Sequence, residues 1–166
     1  MKNSTEAAPE LVDVYVYRTA NAGGTEFLLL QRAPGVIYAG QWRMVGGKIK
    51  AGETAAQAAL RELQEETGCL PEVLWCVPAV NSFFDFKRNK LHHIPVFAVL
   101  LNADAEIRLN HEHSAYSWFS ANTAAAQVQW PEQQRMLRLI PELLHNTHGR
   151  LPREWIVDRH DAASSS

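Results

Sequence analysis

Residues 47–69 read GKIKAGETAAQAALRELQEETGC, and this stretch decides the fold. Thr54 followed by Gln57 forms a capping-box pattern, alanines fill the middle, and Gly68 suits the position just past a helix end, so a helix is predicted over 54–67. At about 100° per residue, Ala56, Leu60, Leu63 and Thr67 fall on one side, with Glu62, Glu65 and Glu66 gathered on roughly the opposite side. One face is expected to pack and the other to collect acid. Each like-charged pair one turn apart costs a helix about 0.2–0.5 kcal/mol, so the cluster needs a compensating charge. Arg61, four residues before Glu65, supplies part of it. A hard divalent cation supplies more, and Mg²⁺ characteristically joins carboxylates to phosphates while keeping water. Taken alone, three glutamates on a helix face are more often simply solvated.

Working outward, Leu11 to Tyr17 and Glu26 to Gln31 read as strands joined by Asn21-Ala22-Gly23-Gly24, a hairpin. Trp42 to Val45 reads as a short strand ending at Gly46-Gly47, where the chain can turn sharply or approach a ligand closely. Beyond the helix, Leu70 to Val80, Ser82 to Phe86 and His93 to Leu101 read as three strands, with a polar link at 86–90 and Pro95 marking an edge or bulge. Ala115 to Phe119 completes the strands. Ser120 to Gln127 and Pro131 to Leu144 read as helices, the second kinked at Pro141 and burying Trp130, Met136, Leu137, Ile140 and Leu144. Residues 10–150 are expected to form one domain, between a flexible 1–9 and a tail, 151–166, whose end from Asp161 to Ser166 is too polar to pack.

The composition narrows the function. A chain of 166 residues, 46% hydrophobic and 20% charged, suits one globular α/β domain. Its start lacks an apolar signal core and no later run is long enough to span a bilayer, which predicts a cytoplasmic protein without membrane partners. Cys69 and Cys76 lack zinc-ligand spacing and are expected as free thiols. A net charge of -2 argues against nucleic acid as a partner but not against a small phosphorylated ligand, whose charge a bound cation can offset.

The pattern Gly47-x5-Glu53-x7-Arg61-Glu62-Leu63-x-Glu65-Glu66-x-Gly68-Cys69 resembles the Nudix box in full, with Cys69 in place of the family's more usual Ile, Leu or Val. The resemblance implies a Nudix fold, a three-layer α/β/α sandwich with a mixed sheet, and a hydrolase of phosphoanhydride bonds. It also implies roles. Glu62, Glu65 and Glu66 would ligate Mg²⁺, or Mn²⁺ in its place, with help from the Gly47 carbonyl. Arg61 would orient the glutamates and Glu53 would brace the loop. Glu62 or a residue outside the box would take the proton from water, and Glu112 is the outside candidate. The segment from Glu112 to Trp118 resembles its counterpart in bacterial dihydroneopterin triphosphate and dATP pyrophosphohydrolases of the family.

Weaker candidates are Arg32 and Lys48 as phosphate contacts, each equally readable as a surface cation. His111 and His113 share a side if extended, yet such a pair is more often solvated than metal-bound. Among Tyr38, Trp42, Phe84, Phe86 and Trp118, one or two are expected to touch ligand. The expected substrate is a nucleoside or pterin triphosphate split to monophosphate and pyrophosphate. The alternatives are a nucleoside diphosphate linked to another group, of ADP-ribose or dinucleotide type, and a catalytically silent nucleotide sensor; a homodimer is compatible with any of them.

Overall fold

The structure is a computed structural model that describes residues 8–163. Its first strand explains the layering. In β1 (Leu11–Thr19) alternate side chains go to opposite faces, so Val12, Val14 and Val16 enter one apolar core and Tyr15 and Tyr17 enter another. Both cores contain fully buried side chains, which requires a layer on each side of the sheet.

The sheet has seven strands in the path β3-β2-β1-β6-β5, with β4 also on β1 and β7 also on β2. These strands are β2 (Thr25–Arg32), β3 (Trp42–Arg43), β4 (Val45–Lys48), β5 (Val73–Asp85), β6 (Lys90–Leu100) and β7 (His113–Ser120). The β1–β6 pair is parallel and the other pairs are antiparallel, so the sheet is mixed as expected. Helix α1 (Ala55–Thr67) lies over the valine core, whereas α2 (Ala121–Gln127) and α3 (Pro131–Asn146) cover the tyrosine core. This is the expected α/β/α sandwich. No helix among the described residues is long and apolar enough to cross a membrane.

The predicted hairpin forms, with Thr19 opposite Thr25 and positive φ at Gly23 and Gly24. Helix α1 has its capping box, Thr54 accepting from the Gln57 amide and Gln57 accepting from the Thr54 amide, and it ends at a left-handed Gly68.

Several expectations change. The two strands expected over 70–86 are one, β5, with a register shift between Cys76 and Val80. Asn81, which falls between the two expected strands, is buried within β5 and bonded to Asp13. Gly46 and Gly47 make no sharp turn. They lie inside β4, opposite Asp13 and Val12, and neither has positive φ. Helix α3 runs to Asn146, past the expected end at Leu144, with Pro141 inside it, and Trp130 at its start is 38% exposed instead of belonging to the buried stripe.

The segment after 150 also packs. Trp155, in a 3-10 turn over Arg153–Trp155, stacks on Trp75 with ring centroids 6.0 Å apart. Ile156 bridges to Trp75, and the Val157 amide donates to the Leu74 carbonyl at 2.9 Å, so this segment pairs with the outer edge of β5. A last turn, α4 (Arg159–Ala162), packs Ala162 on the valine core, and Gln57 Nε2 donates to the Ala163 carbonyl. Polarity alone missed these contacts because Ala162 and Ala163 anchor through a small side chain and a carbonyl. The flexible start expected over 1–9 falls mostly on residues outside those described, as does the tail end, 164–166.

Candidate active site

The glutamates of α1 do not divide as a simple helix wheel suggests. Glu62 and Glu66 lie on the buried side with Ala58, Ala59 and Leu63, whereas the Glu65 side chain is 50% exposed on the flank. Ala56 and Leu60, expected at the packed centre, are only partly buried. The cause is Gly47. A Cβ there would fall 2.2 Å from Glu62 Oε1, so the Glu62 carboxylate occupies the space that any other residue's side chain would need. Glycine at 47 therefore serves close approach, not turning.

Arg61 organises the cluster. Its Nε and Nη2 donate to the two oxygens of Glu53 at 2.7 and 3.0 Å, a bidentate pair. Its Nη1 donates to Glu62 Oε1 at 2.8 Å and Glu65 Oε2 at 3.2 Å, and Nη2 also reaches the Lys48 carbonyl at 2.8 Å. Glu53, the largest contributor, and Glu62 raise the Arg61 pKa. Glu53 in turn accepts from the Lys50 amide at 2.9 Å and has its pKa lowered, chiefly by Arg61. Glu53 thus ties the loop at Lys50 to Arg61 of the helix.

Glu66 is different. It is 3% exposed, and its only hydrogen bond among the described residues comes from the Gly46 amide at 3.4 Å. Burial, then the nearby Glu62 charge, pushes its pKa up to about 8. Burial also raises Glu62, with Arg61 opposing the shift. A buried acid without a cationic hydrogen-bond partner is costly when ionised, and a bound cation would offset that cost.

Glu112 precedes β7, and its charge is among the smaller causes that raise Glu62 and Glu66. Arg32, at the end of β2, holds it: Nη1 donates to Glu112 Oε2 at 3.0 Å, and the Ala33 amide donates to the Glu112 carbonyl at 2.8 Å. The sequence treated these residues separately because 80 positions divide them. Lys48 is exposed at the end of β4. His113 is buried and within reach of the Asn110 side chain at 3.0 Å, and burial lowers its pKa to about 4, while His111 is exposed, so the two do not form a pair on one surface. Of the aromatics named above, Phe84 and Phe86 are exposed on the β5–β6 hairpin, Trp118 lies under Arg18, and Tyr38 lies under Arg43.

Among the described residues, no three acidic, histidine or cysteine side chains stand together as a ready-made ligand cage. The donor set nevertheless fits a divalent cation of the Mg²⁺ type, which takes oxygen ligands, needs only one or two carboxylates and completes its shell with water and phosphate. Glu62 and Glu66 provide hard oxygens, and the Gly47 cradle leaves the Glu62 carboxylate space.

A family model for the NUDIX domain matches residues 9–143. The chain belongs to the Nudix family. It is a Nudix hydrolase, acting on phosphoanhydride bonds. It is 32% identical over 115 residues to the asymmetrical bis(5'-nucleosyl)-tetraphosphatase of Rattus norvegicus, covering 68% of this chain and 76% of that one. An Ap4A hydrolase of C. elegans, solved as a binary complex, superposes with a TM-score of 0.69 at 27% identity, over 84% of this Nudix chain and 99% of the other. The E. coli dihydroneopterin triphosphate pyrophosphohydrolase superposes with a TM-score of 0.67 over 82% and 99% of the two chains, a likeness of fold at 23% identity.

Proposed function

We propose that this Nudix hydrolase uses Mg²⁺, or Mn²⁺ in its place, to hydrolyse a nucleoside polyphosphate. The observation that carries the reading is Glu66, buried beside Glu62 without a cationic hydrogen-bond partner and pushed up to about 8, an arrangement that a cation would relieve. Glu62 and Glu66 would hold the ion, with Glu65 joining from the flank and the Gly47 carbonyl adding an oxygen. When bound, the cation supplies Lewis acidity, offsetting charge on the phosphates and making water easier to deprotonate.

The chain's own residues do the rest. Glu62, whose carboxylate Arg61 fixes at 2.8 Å, accepts the proton of the attacking water at its raised pKa. Glu112 is the second candidate for that proton, positioned by Arg32. Arg61 and Glu53 keep the loop and helix in register so that Glu62 does not swing away from the water. Arg32 and Lys48 would meet the phosphate chain as donors.

Two substrate readings differ in the bond cleaved. The rat relative favours a dinucleoside tetraphosphate cut into unequal parts. E. coli NudI, a nucleoside triphosphatase 27% identical over 89 residues, supports the triphosphate reading, which would release pyrophosphate from a nucleoside or dihydroneopterin triphosphate. The purified protein, incubated with a dinucleoside tetraphosphate, nucleoside triphosphates, dihydroneopterin triphosphate and ADP-ribose, is expected to need a divalent cation. Mono- and triphosphate products identify the first reading; monophosphate with pyrophosphate identifies the second. Inactivity towards the whole panel with both Mg²⁺ and Mn²⁺ rejects the proposal.

A further inference from the structure

The turn α4 lies against the start of the helix that carries the glutamates. Ala162 packs on the valine core, as Val157 does, and the same core meets Ala55, Ala56 and Leu60 of α1. One residue further on, the Ala163 carbonyl accepts from Gln57 Nε2 at 2.6 Å. The segment from Trp155 to Ala163 therefore docks at two places. One is the outer edge of β5, through Trp155 and Val157, and the other is the first turn of α1, through Ala162 and Ala163.

Gln57 has a second contact. Its Oε1 accepts from the Thr54 amide at 2.9 Å, which completes the capping box. A glutamate would cap as well, and its charge would suit a helix N-terminus better. What only the amide adds is a donor, and Ala163 uses that donor. The two ends of one planar group are thus held by different parts of the chain.

The Thr54 amide belongs to the peptide unit that follows Glu53, so holding it orients Glu53. The Glu53 carboxylate accepts from Arg61 at 2.7 and 3.0 Å and from the Lys50 amide at 2.9 Å, and Arg61 in turn donates to Glu62 at 2.8 Å. Direct contacts therefore run without a gap from α4 to Glu62. Lys50, Ala51 and Gly52 are exposed, so this loop has little apolar packing of its own and depends on polar ties. Ala162 also lines a cleft of about 490 Å³ that Lys50, Glu53 and Arg61 border.

We propose that α4 positions the catalytic loop: the Ala163 carbonyl, acting through Gln57, keeps residues 50–53 where Glu53 and Arg61 hold the Glu62 carboxylate. Gln57 is the positioning residue and touches no reacting atom. The inference goes beyond the reading above and rests on it for the role of Glu62.

Amide hydrogen exchange in the full chain, without cation, reads the loop directly. Gln57→Glu keeps the capping acceptor and removes the donor. Ala162→Gln reaches the same contact from the other end, by setting a larger polar group against the core. Each is expected to speed exchange of the Lys50 amide about 5-fold, the equivalent of one modest hydrogen bond, and to leave the Val14 amide of β1 unchanged. The double variant is expected to exchange no faster than the faster single one, because both substitutions remove one contact. Trp155→Ala, at the other docking place, is expected to leave the Lys50 amide as protected as in the wild type.

Turnover supplies the second arm. With Mg²⁺ and whichever compound of the panel above is cleaved fastest, Gln57→Glu and Ala162→Gln are each expected to lose about 3- to 10-fold in kcat, less than for a direct support of a metal ligand, with KM within about twofold. Ala162→Ser, which keeps a small side chain, is expected to retain the wild-type kcat. An unchanged Lys50 amide in both variants, exchange that rises equally at Val14, or faster loop exchange with unaltered kcat overturns the positioning role. If nothing in the panel is cleaved, the functional reading fails, and the exchange experiment alone decides whether α4 holds the loop.

Discussion

The two faces of the sheet bury polar groups in opposite ways. Under α1, Glu66 is enclosed as an acid beside another acid, and the structure meets this with Arg61 on Glu62 but, among the described residues, no cationic hydrogen-bond partner on Glu66. Under α3, Asp13 is met by the neutral amide of Asn81, although burial still raises its pKa. The first arrangement is poised for a charge that the chain itself does not carry. The second is largely complete within the protein and leaves only single acceptor or donor atoms open. Charge left uncompensated marks chemistry.

The sharpest way to break this contrast is Glu66→Gln. Turnover with Mg²⁺ is expected to fall by on the order of 10²–10³, the range seen when a preorganised electrostatic group is removed, while the cation-free melting temperature rises. A variant that keeps full steady-state turnover defeats the assignment of Glu66.

Gly47→Ala should follow, because its Cβ would lie 2.2 Å from Glu62 Oε1 and must displace that carboxylate. A loss of about 10- to 100-fold in kcat is expected, as for other disturbed supports of metal ligands, with little change in far-ultraviolet circular dichroism. An unchanged kcat would show that Glu62 has no fixed catalytic position.

The third comparison is with pH. Folded Glu66 keeps its proton up to about 8, whereas the ordinary glutamate value is 4.5. Between those values the folded state binds more protons than the unfolded state, so this group's stabilisation is present at low pH and is lost as pH rises towards 8. The melting-temperature advantage of Glu66→Gln over wild type, measured without cation, should therefore grow from pH 5 to 8 and then level off. Added Mg²⁺ should stabilise the wild type more at pH 8 than at pH 5. A pH-independent difference between the two proteins would contradict the burial argument.

On the other face the smallest effect on turnover is expected. Trp155→Ala removes the ring stacked on Trp75 and should cost about 3 kcal/mol in urea unfolding, yet leave kcat within about twofold because the contact is remote from the acids. A comparable loss of kcat would couple this contact to catalysis.

What the sequence made legible was local. The capping box of Thr54 and Gln57, the hairpin glycines and the glutamate spacing are short-range signals, and the structure contains each feature. The hidden parts depend on distant partners. Glu62 turns inwards because Gly47, on another element, has no side chain. Asn81 belongs inside a strand because Asp13, 68 positions away, takes its amide hydrogen. Arg32 and Glu112, read separately as a phosphate contact and a base candidate, are joined only because β2 and β7 pair. Trp130 sits at a helix N-cap, where periodicity no longer fixes which way a side chain points.

The segment from Trp155 to Ala163 has a further consequence for assembly. A terminal strand edge is a template for other chains, and here the protein occupies part of that template with its own backbone, through Ile156 and Val157 beside Leu74 and Trp75. Since the Nudix match ends at residue 143, this seal lies outside the family's matched span. Shortening the chain at residue 150 would uncover it and favour self-association through the exposed ladder, making solubility, before catalysis, the first property to suffer.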